Sequence, residues 1–594
     1  MDELDRTVLA GRRVTRRTVL KFIGATAGAL GATGLLAACG GDDDDDDDAA
    51  EPTSAPAAQP TATTAAGTTP AASTPAATAA GGTTPAATTP AAGTTPAAAT
   101  TPAAEGQQGG TLILGYGIQQ LLNLDPPRVQ AGIVAGELVS NLFSSLVQFD
   151  ESLAIMPDLA EDWEITADGL EYTFNLREGL TFHNGDPLVA DDLVYTYERT
   201  KSEELASPHA NKLLNVTTAE AVDELTFKLT FSAPFGPFLA TSCSRGPGRA
   251  LTPISKRAVD EIGLEEHNLK PVGCGPFMLL PETMDPGTGF EMVAFENWYA
   301  GRPLLDKIVV QFIPEPSSRV SALEAGDVDM LDIVPVQGVA QLEGVEDVEL
   351  VQVPGTNWIG LQINVNRPPW DNLDARMAVA KAIDKQEFID TARFGLGTPS
   401  VGALAPAFGW AYIPPDELGE VPQAFDLDAA NALAESSGIV GTQPILIAGA
   451  DDPRNEETIR LLLSEIGVEV QLDLLQDAIF TERWEAGDYD FAVQGSVVDA
   501  DPDDNAYNFF HSTGPWNTAR WNSPEADALL DAERASADQE ERAKAFQDLQ
   551  MLGQQQAPFA FLYHAPDITG FHSYVKGYRP IPEMRYLETV WLDK

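Results

Sequence analysis

Between Asp42 and Gly109 the chain has nothing with which to build a core. Seven consecutive Asp are followed by a Thr/Ala/Pro tract in which Thr-Thr-Pro-Ala-Ala begins at 68, 83, 88, 94 and 100. No side chain there is large and apolar enough to offset the entropy of ordering the backbone, so this stretch is read as a tether. Frequent Pro favours extended conformations of about 3.1 Å per residue, a reach on the order of 100 to 200 Å. Anything that folds must therefore lie before residue 42 or after residue 109.

The N-terminal piece reads as an export signal. A basic run from Arg12 to Lys21 precedes the uncharged stretch Phe22 to Ala38, which ends in Leu36-Ala37-Ala38-Cys39. Charged region, apolar region and small-residue cleavage site stand in the order such signals require. Leu-Ala-Ala-Cys resembles a bacterial lipobox, which implies a diacylglycerol on the Cys39 thiol and a lipid anchor in the membrane. Thr15-Arg16-Arg17-Thr18-Val19-Leu20-Lys21 resembles a twin-arginine signal, with Val19 where an aromatic is usual. On this reading residues 1–38 are a signal peptide, 39–109 a lipid-anchored linker, and the protein works outside the cytoplasmic membrane.

The formal charge is −53, with 89 Asp and Glu against 36 Lys and Arg. Nucleic acid is not an expected partner, because binding phosphates requires a basic face. Acidity on this scale suits either life in salt or selection for cationic solutes. Besides Cys39 the chain holds only Cys243 and Cys274, one possible disulfide in an oxidising compartment.

Residues 110–594 are too many for one core, so at least two domains are expected. Thr111 to Tyr116 reads as a short buried strand; Glu171 to Leu176 and Leu225 to Phe231 alternate at strand period. Ala190 to Lys201, Asp374 to Phe394 and Glu525 to Gln550 read as helical, the first with Asp191 and Asp192 at its positive end. Irregular alternation of this kind points to an α/β or α+β protein.

Several blocks resemble one family. Leu180-Thr-Phe-His-Asn-Gly-Asp-Pro-Leu-Val-Ala-Asp-Asp-Leu-Val-Tyr-Thr-Tyr-Glu-Arg199 is similar to the signature of family 5 extracellular solute-binding proteins, the peptide- and nickel-binding receptors of ABC importers. Pro271-Val-Gly-Cys-Gly-Pro-Phe277, Arg319 to Asp329, Asn372 to Lys385 and Asn522 to Asp531 resemble further blocks of that family in the same order. The resemblance implies an α/β fold of two lobes, periplasmic-binding-protein-like, with a cleft between lobes joined by two crossings. It places lobe I at 110–355 with a subdomain at 142–272, lobe II at 356–557, and a return to lobe I at 558–594. The implied function is capture of di- or oligopeptides and delivery to a membrane permease driven by ATPase subunits, the receptor acting as a monomer. Nickel chelates or another solute such as a sugar are the alternative cargo; an exported hydrolase or adhesin on the same fold is the more distant one.

A peptide needs a carboxylate for its ammonium and a positive site for its own carboxylate. Gly495-Ser-Val-Val-Asp-Ala-Asp-Pro-Asp-Asp-Asn505 resembles the family's Asp-x-x-Asp-Pro loop, whose first Asp meets the amine. Here the loop is one residue shorter, so Asp499 is the first candidate and Asp501 the second; a solvated acidic turn is the plain alternative. Trp358 would stand at the lobe crossing and Tyr116 at the end of the first strand, both positions that contact ligand in relatives. Trp410 and Trp516 lie in Gly- and Pro-rich loops where large aromatics often mark contact surfaces. No catalytic motif is present, and no cofactor or metal is expected; His511 is the single metal candidate, and a lone His is poor support for a site.

Overall fold

The computed structural model describes residues 106–450, 452–495 and 501–594, all within one compact unit. Cys39 and Asp499 lie outside the described residues. Two sheets dominate. The first has seven strands in the order Val348–Pro354, Pro566–His572, Met330–Leu331, Thr111–Tyr116, Lys307–Phe312, Gly289–Ala294 and Phe277–Leu279. Thr111–Tyr116 runs parallel to Lys307–Phe312 from Thr111 opposite Lys307 to Tyr116 opposite Phe312. The second has six, Thr398–Pro399, Phe559–His564, Ile359–Ile363, Phe491–Gly495, Ile445–Gly449 and Gln471–Leu475.

Each sheet organises a lobe, and the chain passes between them twice. Val348–Pro354 belongs to the first sheet and Ile359–Ile363 to the second, so the outward crossing is 355–358. The return differs from the sequence-based expectation. Phe559–His564 pairs with Ile359–Ile363 in the second sheet, and the chain re-enters the first sheet only at Pro566. Every residue of Phe559–His564 is buried, so its pattern announces a central strand without saying which sheet surrounds it.

A third, four-stranded antiparallel sheet lies within the first lobe's sequence, ordered Ala160–Ile165, Glu171–Leu176, Thr226–Phe231 and Val216–Ala221. Its two central strands bury alternate residues, with Tyr172, Phe174, Phe227 and Phe231 on the inner face, as half-covered strands must. The helix Ala190–Lys201 forms as its sequence suggests, Asp192 reaching back to the Val189 N–H at 3.0 Å. The span 374–394 divides into Leu373–Lys381 and Lys385–Ala392, because Asp384 caps the second helix by accepting from the Gln386 and Glu387 N–H groups. The span 525–550 likewise divides into Pro524–Arg534 and Gln539–Gln556, the latter capped by Asp538.

Trp358 is the centre of an aromatic core in the second lobe. Its ring meets Phe509, Phe510, Phe559 and Phe561 at centroid distances of 5.0 to 5.6 Å. The bridge expected between Cys243 and Cys274 is not formed: both are free, buried thiols, and the Cys274 Sγ–H donates to the Ser144 carbonyl at 3.4 Å. No helix among the described residues is long and apolar enough to cross a membrane.

Candidate functional site

The cleft between the lobes holds two chambers that share Ala131 and Gly132 in their walls, one of about 860 Å³ and one of about 620 Å³. The larger is closed across its width by residues of both lobes. The helix Pro502–Phe510 projects Asp504 toward Lys212 of the first lobe, and the carboxylate accepts from the ammonium at 2.6 Å. A second bond runs from the Gly236 N–H to the Arg534 carbonyl at 2.8 Å. Gly236 is required there, since a Cβ would stand 1.9 Å from the Ser536 carbonyl oxygen.

On the second-lobe wall of this chamber, Tyr507 is sandwiched. His511 stacks on one face at 4.2 Å, and the Arg534 guanidinium lies over the ring at 3.2 Å while it also bonds Asp503. Trp516 completes the aromatic surface, its ring 5.3 Å from Phe509. On the first-lobe wall His209 donates from Nε2 to the Val129 carbonyl at 2.7 Å. Burial, with Arg249 and Lys212 nearby, pushes its pKa down to about 3, so it faces the cleft as a neutral ring.

The smaller chamber lies against the crossings. Asn357, Ile359, Tyr563 and Ala565 form its floor, and residues 333–337 run along one side. The second lobe contributes Arg393, whose guanidinium sits over the Tyr563 ring at 5.3 Å, and Arg454, held by Asp452 at 2.6 Å. The first lobe contributes Asp567 and Glu583. Both signs of charge therefore face this chamber, Arg393 and the Arg454–Asp452 pair from the second lobe and the carboxylates of Asp567 and Glu583 from the first.

The residues singled out in the sequence fare unequally. Trp516 lines the larger chamber. Asp501 is buried, caps the helix Pro502–Phe510 and receives two bonds from Arg542 at 3.0 and 2.6 Å, so its carboxylate already has its cation. Trp358 is wholly buried core, and Trp410 packs on Phe546 and Arg542 away from both chambers. Tyr116 is fully buried as well, its pKa raised by burial and by Glu137 and Asp332. Gly495, the last described residue before Asp499, pairs with Ile359 on the floor of the smaller chamber. Outside those candidates, Arg249 reaches the larger chamber, while Arg245 is a core ion pair with Glu588 at 2.9 Å. His511 has Asp531 and Asp527 at 3.5 and 3.8 Å, yet no set of three or more possible ligands among the described residues could hold a metal. Lys212, Arg393, Arg454, Tyr507, Asp567 and Glu583 carry no local signal; only the meeting of segments far apart in sequence makes them a wall.

Comparison with known proteins places this architecture. The profile of bacterial extracellular solute-binding proteins, family 5 (middle region), matches residues 154–518, more than half of the chain. Heme-binding protein A of Haemophilus influenzae is 29% identical over 497 residues, covering 78% of this chain and 88% of that protein. The dipeptide-binding protein of Escherichia coli is 24% identical over 473 residues, covering 74% and 86%. Among solved structures, the periplasmic binding protein DppA of Helicobacter pylori in complex with the peptide STSA superposes with a TM-score of 0.69 at 25% identity, covering 82% of this chain and 99% of the other.

Proposed function

The chain belongs to the bacterial extracellular solute-binding proteins of family 5, and from that premise we propose that it is a receptor for peptides, captured between the two lobes and passed to an ABC permease with its ATPase subunits. The observation that carries the reading is the smaller chamber, where Arg393 and Arg454 of one lobe face Asp567 and Glu583 of the other. Charged groups of both lobes meet in that one space, and a ligand that touches both walls favours the closed arrangement. The peptide named in the Helicobacter pylori complex supports the same cargo. We assign the peptide ammonium to Asp499, which follows a strand whose last residue abuts the chamber floor.

Titration calorimetry of the full chain with free and N-acetylated tripeptides tests both statements. Asp499→Asn should weaken binding of the free peptide about 10- to 150-fold, the worth of one charge-assisted bond. Acetylation should cost the wild type a similar factor and the variant little more, as a coupled pair requires. Additive losses would remove Asp499 from the amine site. Binding of a nickel chelate or a sugar, with none of any peptide, would overturn the cargo.

We place the receptor on the outer face of the cytoplasmic membrane, anchored through lipid on Cys39 and extended on the linker. Cys39→Ser should release it to the medium or leave an unprocessed precursor. A variant still recovered as processed, lipid-bearing protein would refute the anchor.

A further inference from the structure

Behind the first-lobe wall of the smaller chamber four carboxylates gather around one guanidinium. Glu583 and Asp567 line the chamber at 7% and 5% exposure; Glu137 and Asp332 lie deeper, each 1% exposed. Arg585 bonds Asp567 twice, at 2.9 and 2.6 Å, and reaches Glu137 only at 3.6 Å. Glu583 is held by long bonds from the Thr356 N–H at 3.3 Å and the Asn357 amide at 3.4 Å. Asp332 receives the Gly117 N–H at 3.1 Å, with Arg319 acting on it from further off.

The cluster is short of positive charge and of donors. Within it Glu137 Oε2, Asp332 Oδ1 and the Tyr116 hydroxyl, all on residues no more than 1% exposed, have no hydrogen-bond partner. A buried carboxylate without a partner is costly enough that it keeps its proton or recruits a cation. Protons supply part of the answer: burial and the neighbouring Asp567 push Glu583 up to about 7, burial pushes Asp332 up to about 6, and burial raises Glu137 well above the usual carboxylate range. The other titratable groups at the cluster are Tyr578, beside Asp567 and Arg585, and Arg393, Asp452 and Arg454 across the chamber. Asp452 bonds Arg454, which leaves Arg393 as the net positive charge of the far wall, set across the chamber from the carboxylates.

Asp567 is already satisfied, by Arg585 and by the Glu583 N–H at 2.8 Å, which leaves Glu583 as the carboxylate open to the chamber. Resting on the reading that the cleft takes peptides, we propose that this cluster is a subsite for a cationic side chain, with a lysine ammonium or arginine guanidinium seated against Glu583. The incoming cation replaces a proton. It supplies the charge that the four carboxylates lack, and it draws Glu583 into its ionised form. Binding a basic peptide near neutral pH therefore releases a proton, up to about half of one at pH 7 from a group that titrates near that value.

The test uses the full chain in detergent and alanine tetrapeptides in which lysine, or norleucine, which keeps the four-carbon stem without the ammonium, occupies each position in turn. Calorimetry at pH 7 in two buffers of different ionisation enthalpy reads affinity and proton release together. At one position lysine should bind roughly 10- to 100-fold tighter than norleucine, with a buffer-dependent heat that Glu583→Gln removes. The lysine-to-norleucine ratio in the unaltered protein decides the matter even if the variant proves poorly folded. Equal affinities at every position and buffer-independent heats, with the alanine peptides still binding, would overturn the subsite and leave the peptide reading standing. Binding of none of the peptides would overturn both.

Discussion

Asp499 and Asp501 stand two residues apart and are expected to behave oppositely. Asp501 is fixed by Arg542, so Asp501→Ala leaves that buried guanidinium with Glu533 as its remaining carboxylate and uncaps a helix. Thermal denaturation should show a loss of about 3 to 5 kcal/mol, whereas Asp499→Asn should lower peptide affinity and leave melting nearly unchanged. A small effect of Asp501→Ala on stability would mean its bonds to Arg542 count for little. Glu456 illustrates a cost rather than a gain. It is buried with Oε2 unpartnered, and burial, then Asp452 and Glu457, push it up to about 7 from an ordinary value of 4.5. The folded protein thus binds more protons than the unfolded chain between about pH 4.5 and 7, and this contribution falls as pH rises through that window. Glu456→Gln should raise the melting temperature relative to wild type at pH 8 and lose that advantage by pH 5; an equal effect at both values would contradict it. At this scale the sequence was a partial guide. Large aromatics in Trp358 and Tyr116 suit a core as well as a pocket, and only burial separates the two.

Elements were easier to read than their partners. Alternation in Glu171–Leu176 and Thr226–Phe231 is a property of one strand, and both form where the pattern lies. Phe559–His564 was equally plain as a strand, but its membership of the second sheet depends on Ile359–Ile363, some two hundred residues away in the chain. The breaks between Lys381 and Lys385 and between Arg534 and Gln539 follow from the caps Asp384 and Asp538, which a periodic pattern alone runs through. Helix Pro502–Phe510 matters most to function, since it carries Asp504 to Lys212 of the other lobe. That pair is only partly exposed, so its loss should favour the open arrangement. Lys212→Ala and Asp504→Ala should each weaken peptide binding a few-fold, and the double variant no more than either alone, if the two act only through each other. Losses that multiply in the double variant would assign the two side chains separate roles.

At the scale of the whole molecule, the two lobes and the family were legible because they rest on long ordered blocks such as Leu180 to Arg199. The cleft was not, because its walls are assembled from residues near 130, 210, 335, 393, 454, 505 and 583 that no local pattern joins. Among the described residues the chain passes between the two sheets at 355–358 and 565, crossings about which the lobes can bend, and a ligand touching both can set the balance. Hydrogen exchange of the full chain, with and without a saturating peptide mixture, reads this directly. Ligand-driven closure predicts added protection on both walls at once, at 130–133 and 333–337 in the first lobe and at 501–510 and 563–565 around the second. Protection confined to one lobe, or none with any peptide, would contradict capture between the lobes.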